Sequence, residues 1–133
     1  MSNQHIGVKN GKLGECPSSP NCVSTQTSDQ DKQMEPLPFD GGLMETKQKV
    51  KEILSDMERT TIEDDSEHYM HAVVKSKIMR FKDDVEFYFD EDQQVVHFRS
   101  ASRVGYSDFG VNRKRMEDIA AKYKNKEVEG VGQ

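Results

Sequence analysis

The densest set of groups able to do chemistry lies in RSASRVGYSDFGVNRKR, Arg99 to Arg115. Arg99, Arg103 and Arg113 offer forked cations, Arg115 closes the run, and Ser100, Ser102, Tyr106 and Ser107 add hydroxyls between glycines at 105 and 110. The pattern predicts a strand, a loop and then a helix entry, where free N–H groups and the helix dipole favour an anion. A phosphate, sulfate or carboxylate is what such a set would hold. The spacing fits neither a Walker A nor a GxGxxG loop, so no nucleotide loop is read here. The same residues also suit a structural lock. Asp108 or Ser107 is a natural N-cap, Asn112 falls on a buried stripe where it would satisfy loop carbonyls, and Arg103 has Asp83 or Asp84 to pair with.

Two other groupings have chemical capacity. Asp83, Asp84 and Glu86, with His71 or His97, are the residue types that bind a hard cation or zinc. An Asp-Asp pair at a strand start is commonly a turn, however, and alternate acids are commonly a solvated face, so these carboxylates are read as polar support and no metal or cofactor is expected. Cys16 and Cys22 flank a Pro- and Ser-rich loop in CPSSPNC, and their separation permits a disulfide if the chain turns back. Two free thiols packed in a loop are the default for a reducing cytosol, and a bridge or redox pair is the alternative. Two thiolates supply only half a tetrahedral metal set. No G-x-S-x-G elbow occurs and nothing places a histidine beside Cys22, so no catalytic residue is named and an enzyme is not the reading taken.

Charge narrows the partners. The net charge of −5 argues against a general nucleic-acid binder, which must displace counterions with Lys and Arg. Eight basic residues against three acidic ones between Arg99 and Lys126 follow six carboxylates between Asp83 and Asp92, a dipolar layout suited to a small anion or an acidic protein partner. No signal-like or membrane-spanning apolar run is present, so a cytoplasmic location without membrane contact is expected.

The elements that must position these groups follow from periodicity. At 133 residues, 33% hydrophobic and 32% charged, the chain forms one domain with a small core. Residues 1–42 hold Pro17, Pro20, Pro36 and Pro38 with no sustained period, and are read as an irregular arm whose second half crosses the core. Leu43, Val50, Ile53, Leu54 and Met57 predict an amphipathic helix over 43–59. Runs at 60–63, 68–79, 85–90 and 95–100 predict strands in an antiparallel meander, with EDQQ turning the last hairpin. Val85, Phe87 and Phe89 alternate with Glu86, Tyr88 and Asp90, predicting one buried and one wet face. Met116, Ile119, Ala120 and Tyr123 predict a second helix over 111–125. The expected architecture is α+β: an antiparallel sheet of three to four strands, two helices on one face, order α-β-β-β-β-α, and an irregular N-terminal arm. Its expected divisions are a flexible end over 1–12, a domain over 13–125 and a flexible tail over 126–133.

Three separated motifs, CPSSPNCVS, KDDVEF and RSASRVGYSDFGVNRKR, together resemble the uncharacterised bacterial and plastid family known as domain of unknown function 1499. The likeness spans roughly residues 13 to 125. The family pattern falls on Cys16, Pro17, Ser19, Pro20, Asn21, Cys22 and Val23, then on Asp83, Asp84, Val85 and Glu86. It ends on Arg99, Ser100, Ser102, Arg103, Gly105, Ser107, Asp108, Gly110, Asn112, Arg113 and Arg115. The resemblance implies that the three motifs form one site, with the cysteine loop folded against the arginine loop, and it supplies no reaction. The function expected is a small soluble module binding an anionic small molecule or a carboxylate through the arginine and serine loop. A thiol redox protein using Cys16 and Cys22, or a scaffold without a small ligand, are the alternatives.

Overall fold

The computed structural model describes residues 6–17, 21–77, 81–103 and 110–132, with side chains described as far as 125. Among the described residues, eight strands and two α-helices follow in the order β1 (Val8–Lys9), β2 (Lys12–Leu13), β3 (Cys22–Ser24), β4 (Leu37–Pro38), α1 (Leu43–Asp56), β5 (Thr60–Asp65), β6 (Tyr69–Lys75), β7 (Lys82–Asp90), β8 (Val95–Ser102) and α2 (Val111–Gly132). The α+β class and the antiparallel meander β5 to β8 are as expected. The strand count is larger: β3 and β4 both pair with β8, making a six-stranded sheet of order β3-β8-β7-β6-β5 with β4 also on β8. The arm is therefore structured. Leu37 and Pro38 stand opposite Val96 and Val95, and Cys22, Val23 and Ser24 stand opposite Ala101, Ser100 and Arg99. Proline is tolerated in β4 because the strand is a short edge.

A second, two-stranded sheet lies near the N-terminus. Residues 8–13 form the hairpin β1-β2, turned by Asn10 (φ 56°) and Gly11 (φ 77°). Two consecutive positive φ angles define the type I′ turn that Asn-Gly favours. At the other end α2 continues through Gly132, into the stretch expected to fray.

Strand parity divides the sheet's side chains between two faces. Met70, Ala72, Val74, Val85, Phe87, Phe89, Val96 and Phe98 pack with Val50, Ile53 and Leu54 of α1 and Met116, Ile119 and Tyr123 of α2 in one core. Tyr123 fixes α2 to the arm by donating from its hydroxyl to the Pro38 carbonyl at 2.6 Å. Alternation along β7 predicts a wet opposite face. Glu86 and Asp84 lie on it and are nevertheless buried, at 0% and 3% exposed. The arm reaches this face where the Gly7 N–H donates to Glu86, and it is held to itself by the Leu13 N–H donating to Gln26 Oε1, the Gln26 amide to the Gly11 carbonyl and the Thr27 hydroxyl to Glu15.

Candidate functional site

The arginine and serine segment divides across the sheet instead of converging. On the helix face, Arg115 reaches back from α2 so that Nη2 donates to Asp83 at 2.7 Å, while Nη1 donates to Asn112 Oδ1 at 2.8 Å and Ser100 Oγ at 3.1 Å. Ser100 Oγ donates to Asn112 Oδ1 at 2.6 Å. The Asn112 amide donates to Ser102 Oγ and to the Asn21 carbonyl, joining the α2 entry to β8 and to the cysteine loop. Asn112 and Ser100 are wholly buried. This network has the carbonyl-satisfying role foreseen for Asn112 and draws in Asp83.

On the other face, Arg103 donates from Nε and Nη2 to both oxygens of Asp84, each at 2.9 Å, and His71 Nε2 donates to Asp84 Oδ1 at 2.7 Å. Asp84 is one of the two partners foreseen for Arg103. Burial acts to raise the Asp84 carboxyl, but the hydrogen bonds from His71 and Arg103 outweigh it and bring the group down to about 2. Glu86 accepts from the Tyr69 hydroxyl at 2.6 Å, from the Gly7 backbone N–H at 2.7 Å and from Arg99 Nη1 at 3.3 Å. Burial, reinforced by the bond to Glu86, pushes the Tyr69 phenol up, so it stays a donor. Arg99 is 4% exposed and its Nε lacks a partner among the described residues. Arg113 is apart from both clusters, donating to the Asp31 and Gln33 carbonyls of the arm. Tyr106, Ser107 and Asp108 lie outside the described residues.

The candidate cation set does not assemble. Asp83 lies on the helix face while Asp84 and Glu86 occupy the other, and His97 is tied to Thr25 Oγ1 at 2.9 Å. Among the described residues no three His, Cys, Asp or Glu side chains are gathered for a metal. Cys16 and Cys22 form a disulfide in place of the free thiols taken as the default. It packs on Ala101, with Cys22 only 1% and Cys16 9% exposed. The bridge and the arginine segment do meet, through Asn21, whose carbonyl accepts from Asn112 and from the Ser102 N–H.

A cluster that the sequence reading passed over lies where β5 and β7 begin and β6 ends. Arg59, Thr61, Glu63, Val73, Lys75, Ser76, Lys77 and Lys82 line a concavity of about 540 Å³, with four cations against one carboxylate. Arg59 has an exposed ion pair with Glu58 at 3.0 Å. The ammonium groups of Lys75, Lys77 and Lys82 have no partner among the described residues. Lys75 and Lys82 are opposite one another in the ladder, and the Lys82 carbonyl accepts from the Arg103 N–H, so the concavity adjoins the Asp84 cluster. The signal was present in KSKIMRFK, which carries lysines at 75, 77 and 82 with no acidic residue among them. A larger groove of about 750 Å³ separates the arm from α2, but its Arg113 and Lys124 are matched by Glu35 and Glu117.

The chain is thus an α+β domain with a disulfide-bound arm and two buried ion-pair networks. Residues 12–122 match the family model described as a protein of unknown function (DUF1499), and the chain belongs to that family. No curated protein and no solved structure matches it. Among the described residues no helix is long and apolar enough to cross a membrane.

Proposed function

We propose that this domain is a small-anion-binding module whose site is the lysine concavity beside Arg103. The single observation that carries the reading is the set of ammonium groups on Lys75, Lys77 and Lys82, around one hollow and unpartnered among the described residues, in a protein of net charge −5. Cations that outnumber carboxylates in a recess, here four against Glu63 alone, concentrate anions and have donors to spare. The arginine and serine segment supports this site from behind. Its guanidinium groups already face Asp83, Asp84, Glu86 and arm carbonyls, which suits a clamp joining β8, α2 and the arm better than a ligand loop.

A thermal-shift screen of sulfate, phosphates and carboxylates tests the proposal. A ligand at about 100 times its dissociation constant stabilises by about 2.7 kcal/mol. The stabilisation should vanish in a K75Q/K77Q/K82Q variant. If it survives there and disappears in R99A/R113A, the ligand is held by the arginine segment.

The thiol redox alternative has less support, because both sulfurs are buried and a redox-active thiol needs access and a nearby positive charge. The same bridge bears on compartment. A disulfide persists in an oxidising medium, so we place the working protein there and not in the cytoplasm.

A further inference from the structure

We infer that the lysine concavity takes a phosphomonoester dianion in preference to a carboxylate, an inference that rests on the anion-site reading above. Carboxylate recognition is characteristically planar and two-pronged, a task for an arginine fork. Two forks adjoin this site, and both have carboxylates already: Arg103 grips Asp84 through Nε and Nη2, and Arg59, on the lining itself, donates from Nη1 to Glu58 at 3.0 Å. Lining the hollow instead are three lysines, whose ammonium groups are point charges with rotatable donors, together with Thr61, Ser76 and a single carboxylate, Glu63. A phosphomonoester carries about −1.5 to −2 charges at pH 7 and three terminal oxygens, which matches several point charges placed around one centre.

The source of the phosphomonoester is either a soluble metabolite or a lipid headgroup, and the two are separable by experiment.

Isothermal titration of the intact chain with phenyl phosphate, inorganic phosphate and benzoate tests the inference, with a vesicle flotation arm comparing phosphatidylcholine alone against phosphatidylcholine containing phosphatidic acid. The expected result is phenyl phosphate binding at least about tenfold more tightly than benzoate. K75Q/K77Q/K82Q should weaken it by about tenfold or more, while K122Q/K124Q on α2 leaves it unchanged. The replaced lysines are exposed and make no ion pair among the described residues, so the triple variant keeps its fold, as an unchanged circular dichroism spectrum would show. Flotation with phosphatidic acid, lost in the triple variant, assigns the headgroup; binding of the soluble ester without flotation assigns a metabolite; either supports the shared chemistry. Equal binding of benzoate and phenyl phosphate, both lost in the triple variant, overturns the phosphate preference and leaves the anion site standing. No binding of any probe, or binding indifferent to the three lysines, overturns both.

Discussion

Asp84→Asn removes one charge from the centre of the covered face while keeping the side chain's shape. Asp84 is 3% exposed and accepts three charge-assisted hydrogen bonds, from His71 at 2.7 Å and from Arg103 at 2.9 Å twice. Breaking a buried pair costs about 3–5 kcal/mol. The Arg103 side chain keeps 24% of its exposure and can rehydrate, which lowers the expected loss to about 2–3 kcal/mol. An independent route gives a similar size. Bringing the carboxyl from 3.8 down to about 2 corresponds to about 2 kcal/mol of native-state preference for the ionised form. Because the folded value is the lower one, this contribution is whole above about pH 4 and is lost as the pH falls through 2. Urea unfolding followed by circular dichroism, at pH 5 and at pH 2, measures it in wild type and variant; the chain has no tryptophan to serve as a probe. Other carboxylates titrate alike in both proteins and cancel in the difference. The wild type should lead by about 2–3 kcal/mol at pH 5, and the lead should shrink by about 2 kcal/mol at pH 2. A lead that is absent, or that stays constant across that interval, refutes the claim that Asp84 anchors this face as an anion.

Three further outcomes are expected. Asn112→Ala leaves Ser100, Ser102, Arg115 and the Asn21 carbonyl without their shared partner in a fully buried site, and should lower unfolding stability in urea by about 3 kcal/mol. C16S/C22S removes a bridge between residues six apart, worth about 2 kcal/mol by loop closure, and the unmodified bridge should resist alkylation after mild reductant in a mass-spectrometric assay. Tyr123→Phe deletes the hydroxyl that donates to the Pro38 carbonyl and should cost about 1 kcal/mol, read as a lower melting temperature.

Long, periodic elements are legible in the amino-acid order itself. Val50, Ile53 and Leu54 announce α1, Met116, Ile119 and Tyr123 announce α2, and Val85, Phe87 and Phe89 announce the central strand; all are core. The arm strands are not legible, because two or three residues such as Leu37-Pro38 cannot display a period, and their ladder partners lie far along the chain at Val96 and Val95. The β1-β2 hairpin has a usable local signal in Asn10-Gly11 that a proline-punctuated arm obscures. In the arginine and serine segment, composition identifies a dense set of cations and hydroxyls but not the side of the sheet each one takes. Adjacent residues of a strand point to opposite faces, so Ser100 and Ser102 join Asn112 while Arg99 and Arg103 turn away. Burial of Glu86 depends on the arm folding across it, a non-local event that alternation alone counts as solvent.

The most direct measurement is a proton–nitrogen NMR titration of the intact chain with phenyl phosphate, following the side-chain signals of lysine and arginine. Saturable shifts at Lys75, Lys77 and Lys82, with Arg99, Arg113 and Arg115 unmoved, are the predicted result. Shifts concentrated between Arg99 and Arg115, with those three lysines silent, would contradict it.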